Sequence, residues 1–491
     1  MPGRDDMRGV ELVEPEDHEP APARPVASGV RGAAWPARAR RWWPVAVVVL
    51  AALAVTQVAL DRRDQRALAR LAAVPGVLHP VGTAPTEQWR SGLPPDLTGA
   101  AAVTLGGGLV AARTDAAGVQ TVDLVDLDTG AVRWSATLTG PDAVAANRPG
   151  RLVPHCLPAA GSARPTGPVL VCLVQSSFDL SYATVDPTSV APRSARVVTL
   201  DPVSGAVLAD RPTAASSSLA VLDGLAVVAW VARDAHGEVT ASDPVTGHVR
   251  WSFSSPAPMP ARPGESLAIT VTVVGAHVVA RSASANWWVL AADGSLVLEL
   301  PGSGAATAVA EARGGRLVTT GAGPGRTGRT TLLADDGPGP ELIGYPVHLT
   351  VDDGSAAGLV FTSGPSLAGW DPGTGDRRWL GTTTGVTDAV LLGGTLYAAA
   401  AGRLVAVDAT TGRVRWDVAR AASGTGAALL TDGRQLLTLD PGARPRLLRT
   451  ALDDGRTIGS TDLAPGVQGL VGADGHLVAL DRADGLVLVL G

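Results

Sequence analysis

From about residue 84 onward, apolar and polar residues alternate in short runs, and Gly or Pro interrupts the pattern about every 8 to 12 positions. That is the periodicity of strands joined by tight turns, not of helices. In VAVDATTGRVRW (405–416), Val405 and Val407 fall on one face of a strand, and Val414 and Trp416 on one face of the strand that returns. Between them Asp408 is placed to accept hydrogen bonds from turn amides and Gly412 to adopt positive φ, so the segment predicts a hairpin. The same phrase recurs as LVDLDTGAVRW, ASDPVTGHVRW and GWDPGTGDRRW. Its fixed letters are Asp126, Gly130 and Trp134; Asp243, Gly247 and Trp251; Asp371, Gly375 and Trp379; Asp408, Gly412 and Trp416. Where the second turn position is proline, at Pro202, Pro244 and Pro372, φ is pre-set for a type I turn.

Aligned on the glycine, the phrase anchors at Gly130, Gly205, Gly247, Gly294, Gly337, Gly375, Gly412 and Gly455, with intervals of 75, 42, 47, 43, 38, 37 and 43 residues. A period near 40 with strand patterning is the mark of a propeller blade of four strands. Each Trp sits four residues after its glycine, on the outer strand, where its ring is expected to be buried between neighbouring blades. The last residues, GADGHLVALDRADGLVLVLG, lack a full set of partner strands, while TEQWRSGL (86–93) reads as an outer strand with Trp89 in the repeat position. The two ends are therefore expected to complete one blade and remove the open edges.

The units at 124–134, 241–251, 369–379 and 406–416 resemble the repeats of the pyrroloquinoline-quinone-like family of β-propellers, whose blades carry Ala-x-Asp-x-x-Thr-Gly-x-x-x-Trp on their last two strands. The units at Gly205, Gly294, Gly337 and Gly455 lack the Trp. Eight internal units plus the composite give nine, but the resemblance implies eight. The expectation is an all-β, eight-bladed propeller, range seven to nine, of four-stranded antiparallel blades over 84–491. The family includes quinoprotein dehydrogenases and non-catalytic scaffolds. The dehydrogenases need a vicinal cysteine pair, a calcium site of Glu and Asn type and a catalytic Asp. Here Cys156 and Cys172 lie 16 residues apart and nothing matches the rest, so no cofactor, metal or catalytic residue is expected.

Ahead of the repeats, residues 42–60 (WWPVAVVVLAALAVTQVAL) carry no charge over 19 positions, about the length that crosses a bilayer core as a helix. Trp42 and Trp43 stand where an interfacial anchor belongs. The expectation is one transmembrane helix, a disordered cytoplasmic tail at 1–41 rich in Pro, Ala and charge, and a helical, proline-containing linker at 61–83. Five Arg before the span and four after it leave the charge rule nearly balanced. The large domain behind the span and a candidate disulfide between Cys156 and Cys172 favour an N-terminus inside and a propeller outside the cytoplasm.

Charge and cysteines narrow the chemistry. The net charge is −6, and all 40 cationic side chains are Arg, so lysine chemistry is unavailable and no basic stripe marks a nucleic-acid binder. The 75-residue interval reads as holding an insertion at 141–193 with both cysteines, either as a disulfide or as two reduced buried thiols. Gly323 to Gly328 matches GxGxxG by letters but joins two strands, without the helix a phosphate would need. The eight histidines never fall in metal-ligand spacing. What the sequence predicts is a membrane-anchored binding or scaffolding module for a protein or cell-envelope ligand, the alternative being a degenerate quinoprotein or another enzyme with a site in the central channel.

Overall fold

The computed structural model describes residues 48, 51, 56, 57 and 70–491, save for 93–96, 99–100, 147–152, 162–163, 165–166, 181–189, 261–266, 284–285, 301–307, 323–327, 335–336, 421–427 and 482–485. The chain divides into Met1–Gln65 and a compact unit, Arg66–Gly491. The expected tail lies outside the described residues, and so does the expected span apart from the helical Val48, Ala51, Thr56 and Gln57. Among the described residues no helix is long and apolar enough to cross a membrane.

The compact unit is all β. Nine sheets of four or five strands follow one another among the described residues, beside one two-stranded ribbon. In chain order, sheets 1 to 5 span 104–137, 155–213, 218–254, 269–300 and 308–343. Sheet 6 spans 345–380, sheet 7 spans 388–419, and sheet 8 spans 430–462. Sheet 9 takes three strands from 467–490 and its fourth, Glu87–Ser91, from the other end of the chain. The expected clasp is thus formed, with Trp89 buried at its centre. Units without the Trp, at Gly294 and Gly337, still build complete sheets, and nine sheets fall within the expected range of seven to nine.

An apolar cluster lies between each sheet and the next: Trp134 with Cys172 and Leu200 between sheets 1 and 2, Phe361 and Trp379 with Leu391 between sheets 6 and 7. A further cluster joins sheet 9 to sheet 1 through Trp89, Leu109 and Val478, so the succession closes on itself. Each sheet is too small to hide both faces alone, and the stacking supplies the missing cover.

Three expectations are corrected. Val414 and Trp416 do not share a face: Ala406 pairs with Trp416 while its neighbour Val407 pairs with Val414, leaving Arg415 as a bulge. The bulge turns Trp416 inward and leaves Val414 exposed. The same shift precedes Trp134, Trp251 and Trp379. Second, 141–193 is not an insertion between blades. It supplies the first strands of sheet 2, whose central hairpin is long, Val169–Leu180 against Val190–Leu200.

Third, the linker is not a mere spacer. Leu71, Val74 and Val77 pack into the cluster between sheets 7 and 8, and Leu78 and Val81 into that between sheets 8 and 9. The Leu78 amide donates to the Thr431 carbonyl at 2.9 Å, His79 to Gly475 at 2.6 Å and Val81 to the Asp432 carboxylate at 3.1 Å. Residues 71–81 are a strap across the closing seam.

Sheet 6 departs from the pattern. After Tyr345–Pro346 its leading strand crosses over, and Leu349–Asp352 pairs in parallel with the first strand of sheet 7. Arg313 fixes the crossing: its Nε and Nη2 donate to Asp352 at 2.7 and 2.9 Å while the guanidinium lies 5.7 Å from the Phe361 ring centroid.

Candidate functional site

The recurring phrase proves to be a joint with three working parts. Asp126 Oδ1 accepts the amides of Asp128 and Thr129 at 3.0 and 2.8 Å, and Asp408 Oδ1 those of Thr410 and Thr411 at 3.2 and 3.1 Å. Asp243 and Asp371 hold their turns in the same way. The other carboxylate oxygen takes the Arg raised by the bulge: Arg133 on Asp126 at 2.6 Å, Arg415 on Asp408 at 2.9 Å, and Arg378 on Asp371. Arg133, followed by the Thr129 hydroxyl and amide, brings the Asp126 carboxyl down to about 2. Arg415 and Arg378 likewise hold Asp408 and Asp371 below the usual carboxylate range.

The third part is the Trp, which reaches the next turn. Trp134 Nε1 donates to the Pro202 carbonyl at 3.0 Å, Trp379 to Ala409 at 2.9 Å and Trp416 to Leu452 at 2.9 Å. Trp89 of the clasp does the same to Leu127 at 2.8 Å. The turn glycine lies flat on the ring: a Cβ on Gly412 would stand 2.6 Å from Trp379. Gly412 also has φ of 73°, so two independent demands select glycine there. Trp251 lies against Gly294 but its buried Nε1 has no acceptor among the described residues. The turn it meets is shorter, with Gly294 bonded back to Ala291 three residues earlier, whereas Gly412 bonds back to Asp408 four residues earlier. Asp126, Asp243, Asp371, Asp408, their glycines and the four Trp therefore hold sheets together.

Junctions without the Trp behave differently. Sheet 2 has Ala209 in the Trp position, and Arg211 substitutes, donating to the Pro244 carbonyl at 3.0 Å and to the Val245 carbonyl. Sheet 4 has Leu298 there and sheet 5 has Glu341, and both residues line cavities, of about 330 and 510 Å³. The cavity at Glu341 is a groove between sheets 5 and 6, floored by buried Trp370 and walled by Ile343, Leu380, Arg329 and Arg377. Glu341 is paired with Arg329 at 3.0 Å, and Arg377 lies over Trp370 with its guanidinium 6.0 Å from the ring centroid. Sequence reasoning missed this groove. Its one signal was a glutamate where the phrase calls for tryptophan.

Cys156 and Cys172 face each other on adjacent strands of sheet 2, fully buried and joined as a disulfide. The chain's two cysteines are thus committed to each other inside a sheet, which does not fit the vicinal pair that a quinone cofactor would need. Of the GxGxxG letters only Gly328 falls among the described residues, at the start of a strand.

A closed succession of four- and five-stranded sheets, five of its junctions locked by a Trp-on-glycine joint, defines a β-propeller of pyrroloquinoline-quinone-like repeats. The chain belongs to the family whose model, described as outer membrane protein assembly factor BamB, matches residues 235–432 and 356–488. No curated protein matches the chain. Among solved structures, BamB from Moraxella catarrhalis is 18% identical and covers 65% of this chain and 97% of its own, with a TM-score of 0.38. The C-terminal WD40 domain of Sif2 is 10% identical over 83% of this chain and 98% of its own, with a TM-score of 0.41. The Dos1 propeller is 12% identical over 86% and 96%, with a TM-score of 0.39.

Proposed function

We propose that this chain is a non-catalytic binding or scaffolding module, anchored in the membrane through residues 42–60, with its N-terminus in the cytoplasm and its propeller outside, where it holds a protein or another envelope component. On this reading the nine sheets are nine blades of one ring. The observation that carries the proposal is the family match over 235–488, whose description is that of an assembly factor. It is supported by the use of the repeat residues in turns and joints, and by a disulfide of the kind that persists outside the cytoplasm. The test is cross-linking of the full chain in native membranes, followed by identification of the captured neighbour. Recovery of an envelope protein is expected. A chain that fractionates free of membranes, or that captures no envelope neighbour, defeats the proposal.

A further inference from the structure

We propose that the groove between sheets 5 and 6 binds an extended peptide in which an apolar residue is followed, two positions on, by a carboxylate. This rests on the reading of the chain as a binding module and gives that module a site. Three observations lead to it. At this junction no ring fills the wedge: Pro340 takes the place against the turn glycine Gly375, and its neighbour Glu341 turns to Arg329 on the wall of the groove. The rim is apolar and wet: Ile343 and Leu380 are 54% and 55% exposed, and Tyr345, packed on Gly328 of the wall, is 43% exposed. Apolar side chains bared together around a concavity mark an interaction site more often than scattered ones do.

The charges then select the occupant. Glu341 is already neutralised by Arg329, whereas Arg377 has no carboxylate partner among the described residues and rests on the Trp370 ring. Stacking on an aromatic face leaves the edge of a guanidinium free to take a carboxylate. In an extended strand, residues i and i+2 project from the same side about 6.6 Å apart. One can enter the pocket of Ile343, Leu380 and Trp370 while the next reaches Arg377. A volume of about 510 Å³ admits a large apolar side chain with room for the backbone at its mouth.

The test is fluorescence anisotropy with the full-length chain in detergent and two labelled heptapeptides, one with a glutamate two positions after a valine (Ser-Gly-Val-Ser-Glu-Ser-Gly) and one with lysine in place of that glutamate. The glutamate peptide is expected to bind about tenfold more tightly. Arg377→Glu, an exposed position, is expected to reverse that preference. Glu341→Trp puts a bulky ring on the lining of the groove and is expected to abolish binding of both peptides without lowering the unfolding midpoint. Failure of the glutamate peptide to bind, equal binding of both, or a preference that survives Arg377→Glu overturns the proposal. Capture of the same envelope neighbour by wild type and Glu341→Trp in native membranes would remove the groove as the site and leave the binding module intact.

Discussion

Two neighbouring junctions of this ring differ chiefly at one repeat position. Between sheets 6 and 7, Trp379 lies under Gly412, donates to the Ala409 carbonyl and is 7% exposed. Between sheets 5 and 6 the same offset from the glycine falls on Glu341, Pro340 meets the turn glycine Gly375 in the ring's stead, and a groove of about 510 Å³ lies beside them. The comparison shows that a junction can do without the ring: a smaller residue meets the glycine, the sheets stay stacked, and a concavity remains between them. Sheet 2 shows that omission need not leave a hole, since Arg211 refills its junction and finds the same turn carbonyl.

The sharpest way to break this comparison is to truncate the two residues that stand at the same offset from their glycines. Trp379→Ala empties a packed junction and is expected to destabilise by about 3–5 kcal/mol, the usual cost of deleting a buried aromatic ring. Glu341→Ala removes a half-exposed side chain and is expected to change stability by less than about 0.5 kcal/mol. Guanidinium unfolding midpoints of both variants measure the difference. Equal shifts would mean that the Trp is not what closes a junction.

Next in size is the glycine under the ring. Gly412→Ala meets both a left-handed backbone and the Trp379 ring 2.6 Å away, and about 3 kcal/mol is expected. Gly354 has a similar φ of 75° but nothing within 4 Å of a Cβ, so Gly354→Ala should cost only about 1 kcal/mol. The gap between the two variants isolates the contact from the backbone conformation. Below these comes the strap: Leu78 is 2% exposed, and Leu78→Ala is expected to cost about 2 kcal/mol. Because the strap crosses the seam of sheets 7, 8 and 9, that variant should also speed exchange of the strap amides at 78 and 79, which donate to the Thr431 and Gly475 carbonyls, before sheets 3 and 4 respond.

What could be read from the sequence follows from how each feature is encoded. The Asp, Gly and Trp of the joint were legible because they recur at fixed offsets, and the clasp was legible because Trp89 repeats the signal at the other end of the chain. The bulge was not, since strict alternation places Val414 and Trp416 on one face and nothing local announces the extra residue. Arg133, Arg378 and Arg415 were missed for the same reason: only a bulge aims them back at the Asp. The strap hid behind Pro75 and Pro80, which read as spacer, and its apolar residues gain meaning only against distant strands. The crossing strand Leu349–Asp352 and the groove depend on what neighbouring units lack, and a search for recurring letters does not register an absence.

The smallest expected effect again sets a joint that has its parts against one that does not. Asp126 ionises near 2 in the folded chain because Arg133 and Thr129 bind its carboxylate, whereas an unfolded Asp ionises at about 3.9. A carboxyl whose folded value lies below its unfolded one favours the native state fully above the unfolded value, and that contribution fades as pH falls toward the folded one. The stabilisation from these turns should therefore be intact at neutral pH and be lost between about pH 4 and pH 2, with Asp371 and Asp408 adding in the same direction. Sheet 8 carries Ala451 where the phrase has Asp, yet Trp416 still reaches the Leu452 carbonyl, so that junction has no such carboxylate to lose. Carbon-detected NMR titration of Asp126 in wild type and Arg133→Gln measures the effect at its source. The variant midpoint should rise from near 2 toward the ordinary carboxylate range, and an unmoved midpoint would show that the bulged arginine does not hold the turn.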